Sequence, residues 1–225
     1  TLFTCVSSCY RSMLLSDPDL PFAETTATQL RDYPEWHRGR DRYAIWMIPI
    51  SCPRVLAHIE QMRIESGDRP ALGLFEGRAL YGLGLMGQAE AAYRRLLRGP
   101  LDAEAHHGLG LVLSGSQPDR AIEHLTLAVR GRPTNVRMRN DLGFALTQAG
   151  RYRDARLQLA TAVELAPDDS RARNNLVLLL LASGDEAGAR SVARDAGIDE
   201  RRLAQMRVQA ERIRLGRAQP SISSP

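Results

Sequence analysis

The sequence predicts an all-α protein, a solenoid of stacked helical repeats closed by a C-terminal helix. Three observations carry this expectation. Equivalent residues recur at a period of 33–34: Pro133 and Pro167, Ala121 and Ala155, Ala128 and Ala162, Gly110 and Gly143. Aromatic residues are only 5% of the 225, so the core must be built from Leu, Ala and Val, which suits closely packed helices better than a sheet sandwich. A repeat this short cannot bury its apolar face alone, so at least about three must stack.

The fullest copy runs from Val136 to Asp169 and reads Leu142-Gly143, Gly150, Tyr152, Ala155, Leu159, Ala162, Pro167. The copy over 103–135 has Leu109-Gly110, Ala121, Leu125, Ala128 and Pro133, and is one residue short at the turn near Ser116–Pro118. The copy over 70–102 has Gly77, Leu80, Gly84, Ala89, Tyr93 and Pro100, with Leu96 where a small residue is usual. A fourth, over 170–197, has Leu176, Leu180, Gly184, Ala189 and Ala196; it departs at Val177 and lacks a closing proline. This set of slots resembles the tetratricopeptide-repeat (TPR) family. The resemblance implies two antiparallel helices per repeat. Gly143, Ala155 and Ala162 would let them approach closely, Gly150 would form the turn between them, and Pro167 would end the second.

The flanks read differently. Leu203, Met206, Ala210 and Ile213 recur at helical spacing over 198–217, as expected of a capping helix that covers the last apolar face. The tail 218–225 has the composition of a disordered end. The segment 1–69 has a helical pattern over Cys52–Glu65 (Val55, Ile59, Met62), framed by Pro53 and Gly67, and expected to pack beneath the first repeat. Ala23–Asp32 could also be helical, and the aromatic and Arg-rich stretch Tyr33–Ile50 reads as a linker or partner-dependent segment.

Composition narrows the chemistry. The formal net charge is +4 and no residue is Lys, which excludes a phosphate-loop lysine, a Schiff-base lysine and a Ser-Lys dyad. The three cysteines, Cys5, Cys9 and Cys52, do not make a disulfide framework. No run of apolar residues is long enough to span a membrane. The chain begins at Thr1 rather than Met, so an upstream segment is expected.

Gly82-Leu-Gly84-Leu-Met-Gly87 matches a dinucleotide fingerprint, but helix-patterned sequence precedes it and Gly84 occupies the repeat's turn slot. His106-His107 lacks any metal-ligand spacing; His106 is expected to pack and His107 to face a groove. The Arg-rich end (Arg201, Arg202, Arg207, Arg212, Arg214, Arg217) is offset by Asp199, Glu200 and Glu211 and reads as a solvated face. An acidic protein or an anionic lipid is the next reading of that face. No catalytic constellation, cofactor, metal or nucleic-acid partner is expected, so the chain reads as a binding protein rather than an enzyme.

The TPR resemblance also locates a binding surface, because in that family the first helices line a groove. Carried over, the positions are Leu74, Arg78 and Tyr81; Glu104, His107 and Leu111; Arg137, Asn140, Phe144 and Gln148; and Arg171, Asn174 and Leu178. Asn140 and Asn174 stand at the same repeat position, where a carboxamide could clamp a peptide backbone. Arg137 and Arg171, likewise equivalent, would favour acidic groups.

More narrowly, Asn140-Asp-Leu-Gly-Phe-Ala-Leu, Leu165-Ala-Pro-Asp and Arg173-Asn-Asn-Leu resemble TPR proteins of the TadD type, lipoproteins of the tight-adherence (Flp) pilus machinery of bacteria. Val6-Ser-Ser-Cys9 independently fits a lipobox, with Cys9 as the lipidation candidate. The resemblance implies a pilotin-like or chaperone-like factor, anchored to the outer membrane on its periplasmic side, whose groove captures a secretin or another pilus-assembly subunit. The alternative is a cytoplasmic TPR adaptor or regulator with an acidic protein partner.

Overall fold

The structure, a computed structural model, describes residues 54–218. It contains ten α-helices and no strand among the described residues, in two compact units that divide between Leu101 and Asp102. The Cys9 lipobox, Ala23–Asp32, Tyr33–Ile50 and the tail from Gln219 lie outside the described residues.

The first unit holds α1 (Arg54–Ser66), α2 (Pro70–Gly82) and α3 (Met86–Arg94). The helix expected over Cys52–Glu65 is α1, and it stops at Gly67, whose φ of +77° ends the turn. Val55, Ile59 and Met62 bury the inner face of α1 against Leu72 and Ala79 of α2. Arg63 binds Glu60, Asp68 and Glu76 at 2.7, 3.0 and 2.8 Å, and the Glu76 carboxylate is the main reason its guanidinium pKa is raised. Leu96, out of pattern in the sequence, has its place here. A Cβ on Gly73 would lie 2.9 Å from a Leu96 methyl, so the missing side chain on α2 accommodates the extra bulk beyond α3.

The second unit holds α4 (Asp102–Leu113), α5 (Pro118–Gly131), α6 (Val136–Gln148), α7 (Tyr152–Leu165), α8 (Ser170–Ser183), α9 (Glu186–Asp195) and α10 (Glu200–Ala218). α4 packs on α5, α6 on α7 and α8 on α9, and each pair stacks on the next through α5 on α6 and α7 on α8. Local signals define the ends. Asn135 and Asp169, one repeat apart, cap α6 and α8: the Asn135 side-chain oxygen accepts from the Met138 N–H at 3.0 Å, and Asp169 accepts from those of Arg171 and Ala172. Gly150, at φ +71°, turns the chain from α6 into α7. The connection from α4 to α5, in the repeat that is one residue short, uses no positive φ and ends on Pro118 at the first position of α5.

The close approach of paired helices follows from one slot. A Cβ on Gly143 would sit 2.5 Å from Cγ of Leu159, which is fully buried, and Gly110 stands in the same relation to Leu125. The core of the second unit is correspondingly aliphatic, with Leu125, Leu142, Leu146, Leu159 and Leu179 among its members. In the last repeat Val177 takes the slot and is itself fully buried, within a cluster completed by Leu203, Met206 and Ala210 of α10. The expected capping helix is therefore α10, which packs on α8. Arg207 ties it to α9 through Glu186 at 2.7 Å and also pairs with Glu200; the Glu186 hydrogen bond raises the Arg207 pKa.

Gly143→Ala should cost about 1–3 kcal/mol by overpacking against Leu159. Leu159→Ala alone should cost about 2–5 kcal/mol. Because the two residues touch, the double variant should lose less than the sum, read as urea unfolding midpoints.

Candidate functional site

Between α6, α8 and α10 lies a cleft of about 440 Å³. Asn140, Asp141 and Phe144 line it from α6, Ser170, Arg171, Asn174, Asn175 and Leu178 from α8, and Arg202, Met206 and Gln209 from α10. The floor is apolar where Phe144, Leu178 and Met206 meet the core. The rim is polar, with two guanidinium groups and the exposed amide of Gln209. A surface mixing apolar contact with convergent hydrogen-bonding groups fits a peptide segment, whose backbone is polar and whose side chains alternate.

The sequence-expected positions divide in three. Asn140, Phe144, Arg171, Asn174 and Leu178 come together in the cleft. His107 and Arg137, also in the second unit, are not among its lining residues, and Arg78 and Tyr81 stand on α2 in the first unit. The two asparagines read as equivalent are placed differently. Asn140 is only 1% exposed and lies at the base of the cleft, whereas Asn174 is half-buried. The partner of Asn140 is Asn175, whose Nδ2 donates to the Asn140 Oδ1 at 2.9 Å. The Asn140 Nδ2 has no acceptor among the described residues. The side chain of Asn140 thus supports the wall, and Asn174 is the carboxamide on offer. Leu178, at 2% exposed, likewise supplies floor rather than rim.

His107 reaches the site indirectly. Its Nε2 lies 2.7 Å from Oδ2 of Asp141, the residue one period further on, and both side chains are mostly buried. This bond between α4 and α6 occupies the single carboxylate among the cleft residues. His106 also packs, but in a polar pair: its Nδ1 is 2.8 Å from Nδ1 of His124 on α5, with ring centroids 5.1 Å apart. Among the described residues no group of three or more His, Cys, Asp or Glu side chains could hold a metal ion, and no helix is long and apolar enough to cross a membrane.

Sequence reasoning did not single out Asp141, Asn175, Ser170 or Gln209, and it read Arg202 as part of the Arg-rich face and Met206 as part of the cap rather than as cleft residues. Two signals were available. Asp141 and Asn175 share a repeat position, 34 residues apart, and Arg202, Met206 and Gln209 form one helical stripe at i, i+4 and i+7.

Comparison with known proteins bears on the fold. Residues 76–136 and 113–174 each match a tetratricopeptide-repeat family profile. A TPR repeat-containing protein of Pseudomonas aeruginosa is 38% identical over 147 residues, a match covering 64% of this chain and 60% of that relative's length. Among solved structures, a thermophilic TPR protein of Thermus thermophilus superposes with a TM-score of 0.56 at 19% identity, over 84% of this chain and 95% of that one. MamA of Desulfovibrio magneticus gives 0.56 at 21%, over 66% and 85%. YrrB, a TPR protein described as having an unusual peptide-binding site, gives 0.54 at 20%, over 71% and 82%. Residues 76–174 thus carry tetratricopeptide repeats, and the fold is that of TPR solenoid proteins, which suggests a protein-binding scaffold.

The Asn140–Asn175 bond yields a stability test that separates wall from rim. Asn175→Ala leaves the buried Asn140 Oδ1 unsatisfied and should cost about 1–3 kcal/mol. Asn174→Ala, at the half-buried neighbour, should stay within about 0.5 kcal/mol of wild type. Thermal unfolding of the two variants side by side checks this.

Proposed function

We propose that the cleft between α6, α8 and α10 captures an extended segment of a protein partner, and that this partner is a pilus-assembly subunit, most concretely a secretin. The observation that carries the first half is the lining itself. Arg171, Asn174 and Gln209 surround an apolar floor, and the Asp141 carboxylate beside them is held by His107. Asn174 can donate to and accept from a peptide backbone, while Phe144, Leu178 and Met206 offer apolar contact to its side chains. YrrB, a TPR protein of the same fold, is described as having a peptide-binding site, which supports peptide capture by a scaffold of this kind.

The second half rests on the resemblance to TadD-type lipoproteins over Asn140–Leu146, Leu165–Asp168 and Arg173–Leu176, and on Val6-Ser-Ser-Cys9. In this reading a lipid on Cys9 holds the scaffold at the outer membrane, facing the periplasm. The lipid supplies the address and the repeats supply the grip, so the factor acts as a chaperone for the subunit it places.

Affinity capture from native membranes, with mass spectrometry, tests the partner. Wild type should recover a secretin, and Arg171→Ala/Asn174→Ala should recover several-fold less. Equal recovery by both would move the binding surface away from the cleft. Recovery of soluble regulatory proteins alone would replace the pilus reading with that of a cytoplasmic adaptor. The anchor has its own test: metabolic labelling with palmitate should mark the wild-type protein and not Cys9→Ser, and label retained by the variant would sink lipidation at this position.

A further inference from the structure

The cleft is not built by the repeats alone, and this fact suggests what it selects. α10 lies outside the repeat pattern, yet Arg202, Met206 and Gln209 form one wall. We propose that Arg202 of α10 and Arg171 of α8 together select a segment bearing an Asp or Glu side chain, making α10 the specificity-determining element of the site. This rests on the reading of the cleft as a peptide-binding site and deepens it.

The charge inventory carries the argument. Two cations line the cleft, and among the described residues neither has a carboxylate partner. Among those residues, the only side-chain hydrogen bond of the Arg202 guanidinium is to the neutral Oε1 of Gln205 at 3.3 Å. Several other arginines of this unit are paired with acids: Arg207 with Glu186 and Glu200, Arg190 with Glu186, Arg156 with Asp185, and Arg214 with Glu211. The nearby acids are engaged as well. Asp141 is held by His107 at 2.7 Å, Asp169 caps the first turn of α8, and Asp199 accepts the Arg202 backbone N–H at 2.7 Å. What lines the open cleft is therefore two guanidinium groups without a carboxylate partner, neutral amides, an apolar floor, and one carboxylate, Asp141, that is bonded to His107.

That combination favours an acidic protein segment over the other polyanions. Guanidinium groups bind carboxylates by paired charge-assisted hydrogen bonds. A nucleic acid would want a longer basic track with aromatic stacking surfaces, and Phe144 is the single aromatic residue lining the cleft. A bilayer surface cannot enter a cleft of about 440 Å³ closed on one side by a helix. The expected ligand is an extended stretch with an apolar residue over Leu178 and Met206 and an acid at the α10 end.

The test uses the full chain and two fluorescent decapeptides, one alternating Leu with Glu and the other alternating Leu with Gln. Titration at low and high salt should show the Glu peptide binding more tightly, with an advantage that shrinks as salt screens it. Arg202→Ala should weaken the Glu peptide about tenfold and the Gln peptide little, and Arg202→Glu should reverse the preference. Arg201→Ala, an exposed neighbour outside the cleft lining, is the control and should change nothing. Thermal unfolding of each variant confirms that α10 remains docked through Leu203, Met206 and Ala210. Both peptides binding equally, insensitive to Arg202 but weakened by Arg171→Ala/Asn174→Ala, would overturn the role of α10 and leave the peptide cleft standing. Binding of neither peptide would overturn both readings. Binding of phosphatidylglycerol vesicles or a short RNA in place of the Glu peptide would overturn selection of an acidic protein segment.

Discussion

The second unit depends on the contact between a side-chain-free position on one helix and a leucine on the next. With no Cβ at Gly143 or Gly110, the leucine of the following helix drops into the space, and paired backbones come close enough for an aliphatic core to pack without large aromatic residues. The same rule explains the exceptions. Gly77 on α2 makes room for Tyr93, a larger partner, and Gly73 makes room for Leu96. In the last repeat Val177 is packed over by the terminal cluster that includes α10. Wherever the slot is filled or the partner enlarged, the neighbouring element changes to match.

The polar cleft is a by-product of that stacking. Close pairing brings the first helices of successive repeats side by side, so α6 lies against α8 and residues one period apart become neighbours. His107 meets Asp141, and Asn140 meets Asn175. These bonds keep the buried polar groups mostly satisfied, which is the condition for placing them so near an apolar core. They also decide which groups are available. Asp141 and Asn140 are committed to the wall, leaving Arg171, Asn174, Arg202 and Gln209 for a ligand. A scaffold of this kind carries its specificity in the side chains that stacking does not consume.

The capping helix shows how one element serves two purposes. Leu203, Met206 and Ala210 close the end of the core, a need common to any stack of repeats. Met206 also reaches the cleft floor, and its neighbours on the same stripe, Arg202 and Gln209, are carried to the rim. Glu186 of α9 binds Arg207 on another face of α10 at 2.7 Å, while the burial of Leu203, Met206 and Ala210 sets which stripe the helix presents.

The period of the sequence by itself determined the class of fold, the positions of the turns and the ends of most helices, because glycine, alanine, proline and capping residues act locally and repeat at a fixed interval. The TPR resemblance, rather than the period, put Phe144, Arg171, Asn174 and Leu178 on one expected groove face, and these four line the cleft. Only the tertiary structure decided that Asn140 is buried and bonded to Asn175 rather than offered beside Asn174, and that Arg202 and Gln209 join the site. The physical reason is that side-chain direction at one repeat position depends on what stacks against it. Asn140 is covered by the following repeat, whereas Asn174 meets α10, which has no repeat pattern to read. Periodicity reports neighbours along the chain's own rhythm, and the cleft is made where that rhythm ends.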